Sequence, residues 1–253
     1  MGPISRRLLA CALCCLASQA RAGPPFFTDD PEPVELRHWE VYLASQYIQD
    51  KDGRSGTAPH VETNYGALPG LQLHLIVPAA FDRLAGGPAA YGPGDIELGA
   101  KYRFLSETDE RPQAGTFVLV EAPSGDSDRN LGNGKAQVFV PLWLQKSWGP
   151  WTTYGGGGMA LNSAPGQRNS GFAGWLVQRD IGRYLTVGTE LFWQGNDATA
   201  GRGVADGNFG GYFKFSENFN LLFSLGHSLS GARNTIWYLG LYWTGGPAIA
   251  GKR

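Results

Sequence analysis

The chain has 253 residues, 17% of them charged, with a formal net charge of −1, 37 Gly, 8 Trp, 10 Tyr and 13 Phe. That balance gives no reason to expect a nucleic-acid partner, and no internal segment reaches the roughly 18 consecutive apolar residues of a membrane helix. A membrane barrel stays open, because alternation halves the apparent hydrophobicity of each of its strands.

Residues 1–22 read as an export signal: Arg6 and Arg7, an apolar run from Leu8 to Ala17, then Ala20-Arg21-Ala22 as a small-x-small cleavage site. Cleavage there removes three arginines, no acid and all three cysteines, so the net charge moves from −1 to −4. A lipoprotein reading through Cys11 leaves too little apolar run after Arg7. Residues 23–37, GPPFFTDDPEPVELR, carry prolines that forbid a central strand and an acidic cluster of Asp29, Asp30, Glu32 and Glu35. We expect this segment on the periplasmic side, either as a lumen plug or as a disordered leader.

Alternation and turn residues then divide the barrel region, 38–244, into twelve strands: 38–49, 57–66, 71–81, 94–105, 115–122, 135–147, 151–162, 171–179, 184–194, 206–215, 219–228 and 235–244. Residues 245–253 follow as a tail. Most of these strands have about the 9–11 residues that cross a bilayer when tilted. The connections alternate in length. QDKDGRSG, DRLAGGPAAYGP, PSGDSDRNLGNG, SAPGQRNS and GNDATAGRGVA are long, whereas ALPG, WGP, DIGR and SEN are short. Bacterial outer-membrane barrels have this asymmetry, with short periplasmic turns and longer external loops. SETDERPQA and LSGARN fit it less well.

Within 94–105, Asp95, Glu97, Lys101 and Arg103 alternate with Ile96, Leu98, Ala100, Tyr102 and Phe104. Successive strand residues face opposite ways, so one face is ionic and the other apolar. Each Lys or Arg turned into the bilayer midplane would cost about 2–4 kcal/mol, which puts the ionic face inside. The same argument turns Glu40, His74, Glu190 and Lys214 inward, with Tyr42, Phe139, Trp143, Phe192, Tyr212 and Tyr238 as an inward aromatic set. Two readings of these residues stand side by side: they line a path for a solute, or they pair and pack inside a narrow barrel. Strands 115–122 and 171–179 alternate too poorly for their faces to be assigned. Trp39, Trp143, Trp148, Trp151, Trp193 and Trp243 lie near strand ends, where barrels carry aromatic girdles. Gly155 to Gly158 is read as wall geometry or as clearance for a plug.

Two stretches resemble a known family. Thr28-Asp29-Asp30-Pro31 ahead of His38-Trp39-Glu40, and Pro123-Ser124-Gly125-Asp126 followed by Leu131-Gly132-Asn133-Gly134, look like the outer-membrane transporter-like proteins of the MetA pathway of phenol degradation. The resemblance implies an outer-membrane barrel that helps aromatic or other hydrophobic small molecules across, with no catalytic residues to carry over.

No enzymatic constellation emerges. His227 and Ser228 are adjacent and so face opposite ways, His38, His60 and His74 lack an evident Ser or Cys partner, and neither HExxH nor CxxC occurs. The acids at 29–35 lack the spacing of a calcium loop, and no metal or cofactor is expected. The sequence therefore reads as an all-β, antiparallel, up-and-down transmembrane barrel of a Gram-negative-type outer membrane. Its expected partners are outer-membrane lipid, a small solute, aromatic if the resemblance holds, and the barrel-insertion machinery, which recognises aromatic closing strands such as TIWYLGLYW. The alternatives are a structural or lipid-modifying membrane barrel without solute transport, and a soluble periplasmic ligand-binding barrel. The last would need no detergent.

Overall fold

The computed structural model describes residues 24–199 and 201–247. The export-signal reading and the last residues of the tail lie outside that range. Thirteen strands follow one another: β1 (Trp39–Gln49), β2 (Gly53–Leu68), β3 (Leu71–Leu84), β4 (Ala89–Pro93), β5 (Ile96–Leu105), β6 (Gln113–Ala122), β7 (Gln137–Trp148), β8 (Trp151–Asn162), β9 (Ser170–Ile181), β10 (Leu185–Gln194), β11 (Val204–Lys214), β12 (Phe219–Ser230) and β13 (Thr235–Gly245). Chain neighbours pair antiparallel, β1 also pairs β13, and β5 pairs β3 past the short β4. The result is a closed barrel of twelve strands with β4 as an extra strand on the upper part of β3. Closure matters because a sheet edge left open in lipid would expose bare backbone polar groups.

The faces follow residue parity. Leu98 is 50% exposed on the outside while its neighbour Glu97, on the inside, is 3% exposed. Leu73, Leu75 and Val77 on β3, Leu142 and Leu144 on β7, Leu191 on β10 and Leu239 on β13 continue the outer apolar surface around the wall. An exposed apolar band of that extent has the form of the outer surface of a membrane barrel. Among the described residues no helix is long and apolar enough to cross a membrane. Rings cluster at the short-turn rim, where Trp39 meets Tyr65 and Trp243 meets Phe219 at centroid distances of 4.3 and 5.1 Å.

Three expectations need correction. QDKDGRSG is largely strand, because β2 begins at Gly53 and leaves only residues 50–52 as the turn. DRLAGGPAAYGP is likewise mostly paired, as the end of β3 with β4. Both stretches rise beyond the apolar band, so their polar residues show no alternation to read. Trp143 is no girdle residue: it is 1% exposed, sits between outward Leu142 and Leu144, and packs inside with Phe117, Leu119 and Phe139.

Two strands whose faces were unassigned are now placed. On β6, Phe117, Leu119 and Glu121 are buried while Val118 and Val120 are half-exposed. On β9, Ser170 and Leu176 are buried and Trp175 and Val177 exposed. Prolines mark the irregular places in the wall. Pro59 lies where β2 shifts register against both neighbours. Pro141 lies where β6–β7 pairing lapses between Gly115–Trp143 and Leu119–Phe139, and there Thr116 Oγ1 donates to the Pro141 carbonyl at 2.7 Å. Gly158 sits opposite Pro141, and a side chain on it would overlap the Val140 carbonyl. The glycine run is therefore wall geometry at that point.

Candidate functional site

The interior is occupied from the short-turn end by residues 24–37. Leu36 bridges Gly66 near the β2–β3 turn, and from there the chain runs back up the barrel. Val34 N–H donates to Gln72 Oε1 at 2.9 Å. Glu32 accepts from Gln113 at 3.1 Å and Gln145 at 3.3 Å and lies 3.5 Å from Arg103. Asp29 accepts from Lys101 Nζ at 2.9 Å, and Asp30 lies 3.5 Å from the same nitrogen. Thr28 N–H donates to Glu190, whose other oxygen accepts from Asn208.

Above these, Phe27 packs on Phe192 and Ile236, and Phe26 on Tyr154 and Leu176. The carbonyls of Pro24 and Pro25 accept from Tyr212 and Ser224 at 3.4 and 2.6 Å. The segment thus touches an inward residue of every barrel strand except β1, which continues it. Its fit depends on a missing side chain: a Cβ on Gly174 would overlap Thr28 Oγ1.

The inward residues named from sequence fall into separate groups. Lys101, Arg103, Glu190 and Tyr212 meet the segment. Glu40 accepts from Tyr42 at 3.0 Å and Tyr242 at 2.7 Å, forming a polar cluster near β1 and β13. His74 bridges Glu97 and Asn64, each at 2.7 Å, and Asn64 also donates to Glu62 at 2.9 Å. Tyr238 lies beside His60, with ring centroids 5.9 Å apart and the planes tilted by 50°. Lys214 joins none of these; it pairs with Asp180 at 2.7 Å at the short-turn rim.

Asp95 is a loop anchor. It accepts from Gly125 N–H at 2.8 Å and Asn133 N–H at 2.6 Å, clasping the two halves of the motif at 123–134 around itself. His227 is exposed and Ser228 is buried on Asp206, so the two share no face.

Sequence reasoning set Gln72 on the inward face with His74 but missed Gln113, Gln145 and Ser224, which hold the segment, Asn208, which holds Glu190, and Phe117, Leu119 and Leu222, which fill the interior. Parity turns Gln145, Asn208, Leu222 and Ser224 inward, whereas Gln113 precedes the expected strand and Phe117 and Leu119 lie on one whose faces alternation does not separate. Nothing local marks what they meet there.

Above Pro24 to Phe27 a chamber of ≈ 310 Å³ opens toward the long-loop end. Its wall includes Ile48, Glu62, Phe81, Glu97, Asp206 and Tyr238.

No family model matches the sequence, and no curated protein does. Solved structures do. The COG4313 outer membrane channel from Pseudomonas putida F1 superposes with a TM-score of 0.73 at 17% identity, over 85% of this chain and 98% of that one. The KdgM porin in complex with disordered oligogalacturonate gives 0.56 at 12%, over 80% and 98%. The translocator domain of the autotransporter NalP from Neisseria meningitidis also gives 0.56 at 12%, over 83% and 90%. Identities this low establish a shared fold, and what the chain shares with all three is that barrel fold.

Proposed function

We propose that this protein is an outer-membrane channel for passive passage of small molecules with apolar or aromatic bodies, and that residues 24–37 gate it. The observation that carries the reading is the combination of a closed, apolar-sided barrel with a chamber open to the long-loop end and floored by a polar-clamped segment. A protein that only filled a membrane would need neither the chamber nor an interior thread held by side-chain hydrogen bonds. The similar structures include a channel and a porin by name, and the two sequence motifs resemble a transporter-like family of aromatic degradation. In this reading the export signal is cleaved, lipid covers the outer band, and barrel-insertion machinery seats the chain. The chemistry is transport alone.

Removing Gly23 to Val34 tests the reading. In planar bilayers the intact mature chain should pass small currents and the shortened chain several-fold larger ones, and liposome uptake of aromatic solutes should rise in parallel. Equal currents from both would remove the gate, and no uptake by either would remove the channel.

A further inference from the structure

The chamber has an unbalanced wall. Among the described residues eight of its lining residues are acids, against a single arginine, Arg202, and one histidine, His60. Some of these acids are committed to the fold: Asp95 clasps its loop, and Asp50 accepts from Asp52 and Gly53 N–H at 2.8 Å. Glu62, Glu97 and Asp206 differ. Each is at most 4% exposed, lines the chamber, and has one oxygen hydrogen-bonded in the wall, to Asn64, His74 and Ser228 respectively. Even with His74 protonated the negative charges are in excess. A low-dielectric wall concentrates such a field and draws cations into the cleft.

A second observation is independent of the acids. Asn234 and Tyr238 line the chamber at 7% and 8% exposure, and the Asn234 amide oxygen and the Tyr238 hydroxyl have no hydrogen-bond partner among the described residues. Buried polar atoms are rarely left so without a ligand or water to complete them. The Tyr238 ring also offers a face to a cation, and Phe26, Phe27, Ile48 and Phe81 supply apolar surface below and beside it. The acids come from different strands and loops, and among the described residues no three could hold one metal ion. The chamber therefore presents a diffuse negative field over an apolar floor, which suits a bulky monovalent cation better than a chelated metal. Its volume is near the lower end of ligand pockets, about the size for one ring and a short chain.

Building on the channel reading above, we propose that the chamber is a binding site for organic cations: molecules with one ammonium group and an apolar, single-ring body. The ammonium sits among Glu62, Glu97 and Asp206, and the ring lies on the proline and phenylalanine floor. Neutral and anionic molecules of the same shape are held less tightly.

The refolded mature chain in nonionic detergent, titrated calorimetrically with 2-phenylethylammonium, 2-phenylethanol and phenylacetate, provides the test. The cation should bind at least tenfold more tightly than either of the others. Glu62→Gln with Asp206→Asn should abolish that preference while leaving 2-phenylethanol unchanged, with heat-modifiable gel mobility reporting that the barrel is intact. Should the double variant not fold, the ligand ranking on the unaltered chain and its loss in high salt decide alone. Equal affinities, preference for phenylacetate, or no binding of any of the three would overturn the site. Liposome uptake of the same three molecules separates this claim from the channel. Uptake without preference would overturn the cation site and leave the channel standing, whereas cation binding without uptake would support the site and overturn the channel.

Discussion

Lys101 shows at the scale of one residue what an inward charge does in this barrel. It is 5% exposed, and its ammonium has Asp29 at 2.9 Å and Asp30 at 3.5 Å. Two charges taken out of water are stable only as a pair, and removing one partner costs about 3–5 kcal/mol, because the other is left buried and alone. Lys101→Met should therefore release the segment around Asp29 and raise single-channel conductance. Adding Asp29→Asn to Lys101→Met removes the orphaned charge and should return the conductance most of the way. If both variants conduct as the parent does, the pair holds nothing shut. Residue-scale legibility was uneven for a physical reason. Parity gives the face of Lys101, Glu97 or Glu190 from sequence alone, yet their partners lie 72 positions away for Lys101 and 162 for Glu190, and no local pattern records them.

Among the elements, β6 and β7 show how irregularity is tolerated in lipid. Pro141 interrupts the ladder, and the Thr116 hydroxyl satisfies the carbonyl that the ladder leaves over. Hydrocarbon offers no water as a substitute, so a lost bond there costs the desolvation of the bare group, about 1–3 kcal/mol. Thr116→Val should lower the urea midpoint of unfolding in lipid vesicles, read as loss of the fast-migrating folded band, whereas Thr116→Ser should leave it near the parent value. The strands were legible wherever one face met lipid and the other did not, as in β3, β5 and β10. They were illegible where both faces meet the same medium. The first residues of β2 and all of β4 stand above the apolar band, so nothing in GRSG or AAYGP separates strand from loop. On β6 and β9 the interior is itself partly apolar, with Phe117, Leu119 and Leu176 facing in, and that blurs the contrast on which alternation rests.

The whole molecule is a boundary between two media, and its outer surface is where that is tested most directly. Leu98→Arg places a charge on the lipid face and should cost about 2–4 kcal/mol, less toward the rims, read as a reduced yield of heat-modifiable protein on refolding into vesicles. Glu97→Gln, one residue away but inside, should refold with the parent's yield. Equal losses for both would mean that the exterior does not face hydrocarbon.

The segment inside the barrel also constrains how the molecule is made. It touches the other eleven barrel strands from within, and it is joined to β1, which forms one side of the final β1–β13 seam. A thread gripped on all sides is hard to pass in through a finished tube, while one that is already lying on the open sheet needs only to be wrapped. Assembly then has a built-in order: the last hairpin should meet the first strand around an occupied interior, and the side chains that hold the thread would double as a template for curling the sheet to its final circumference.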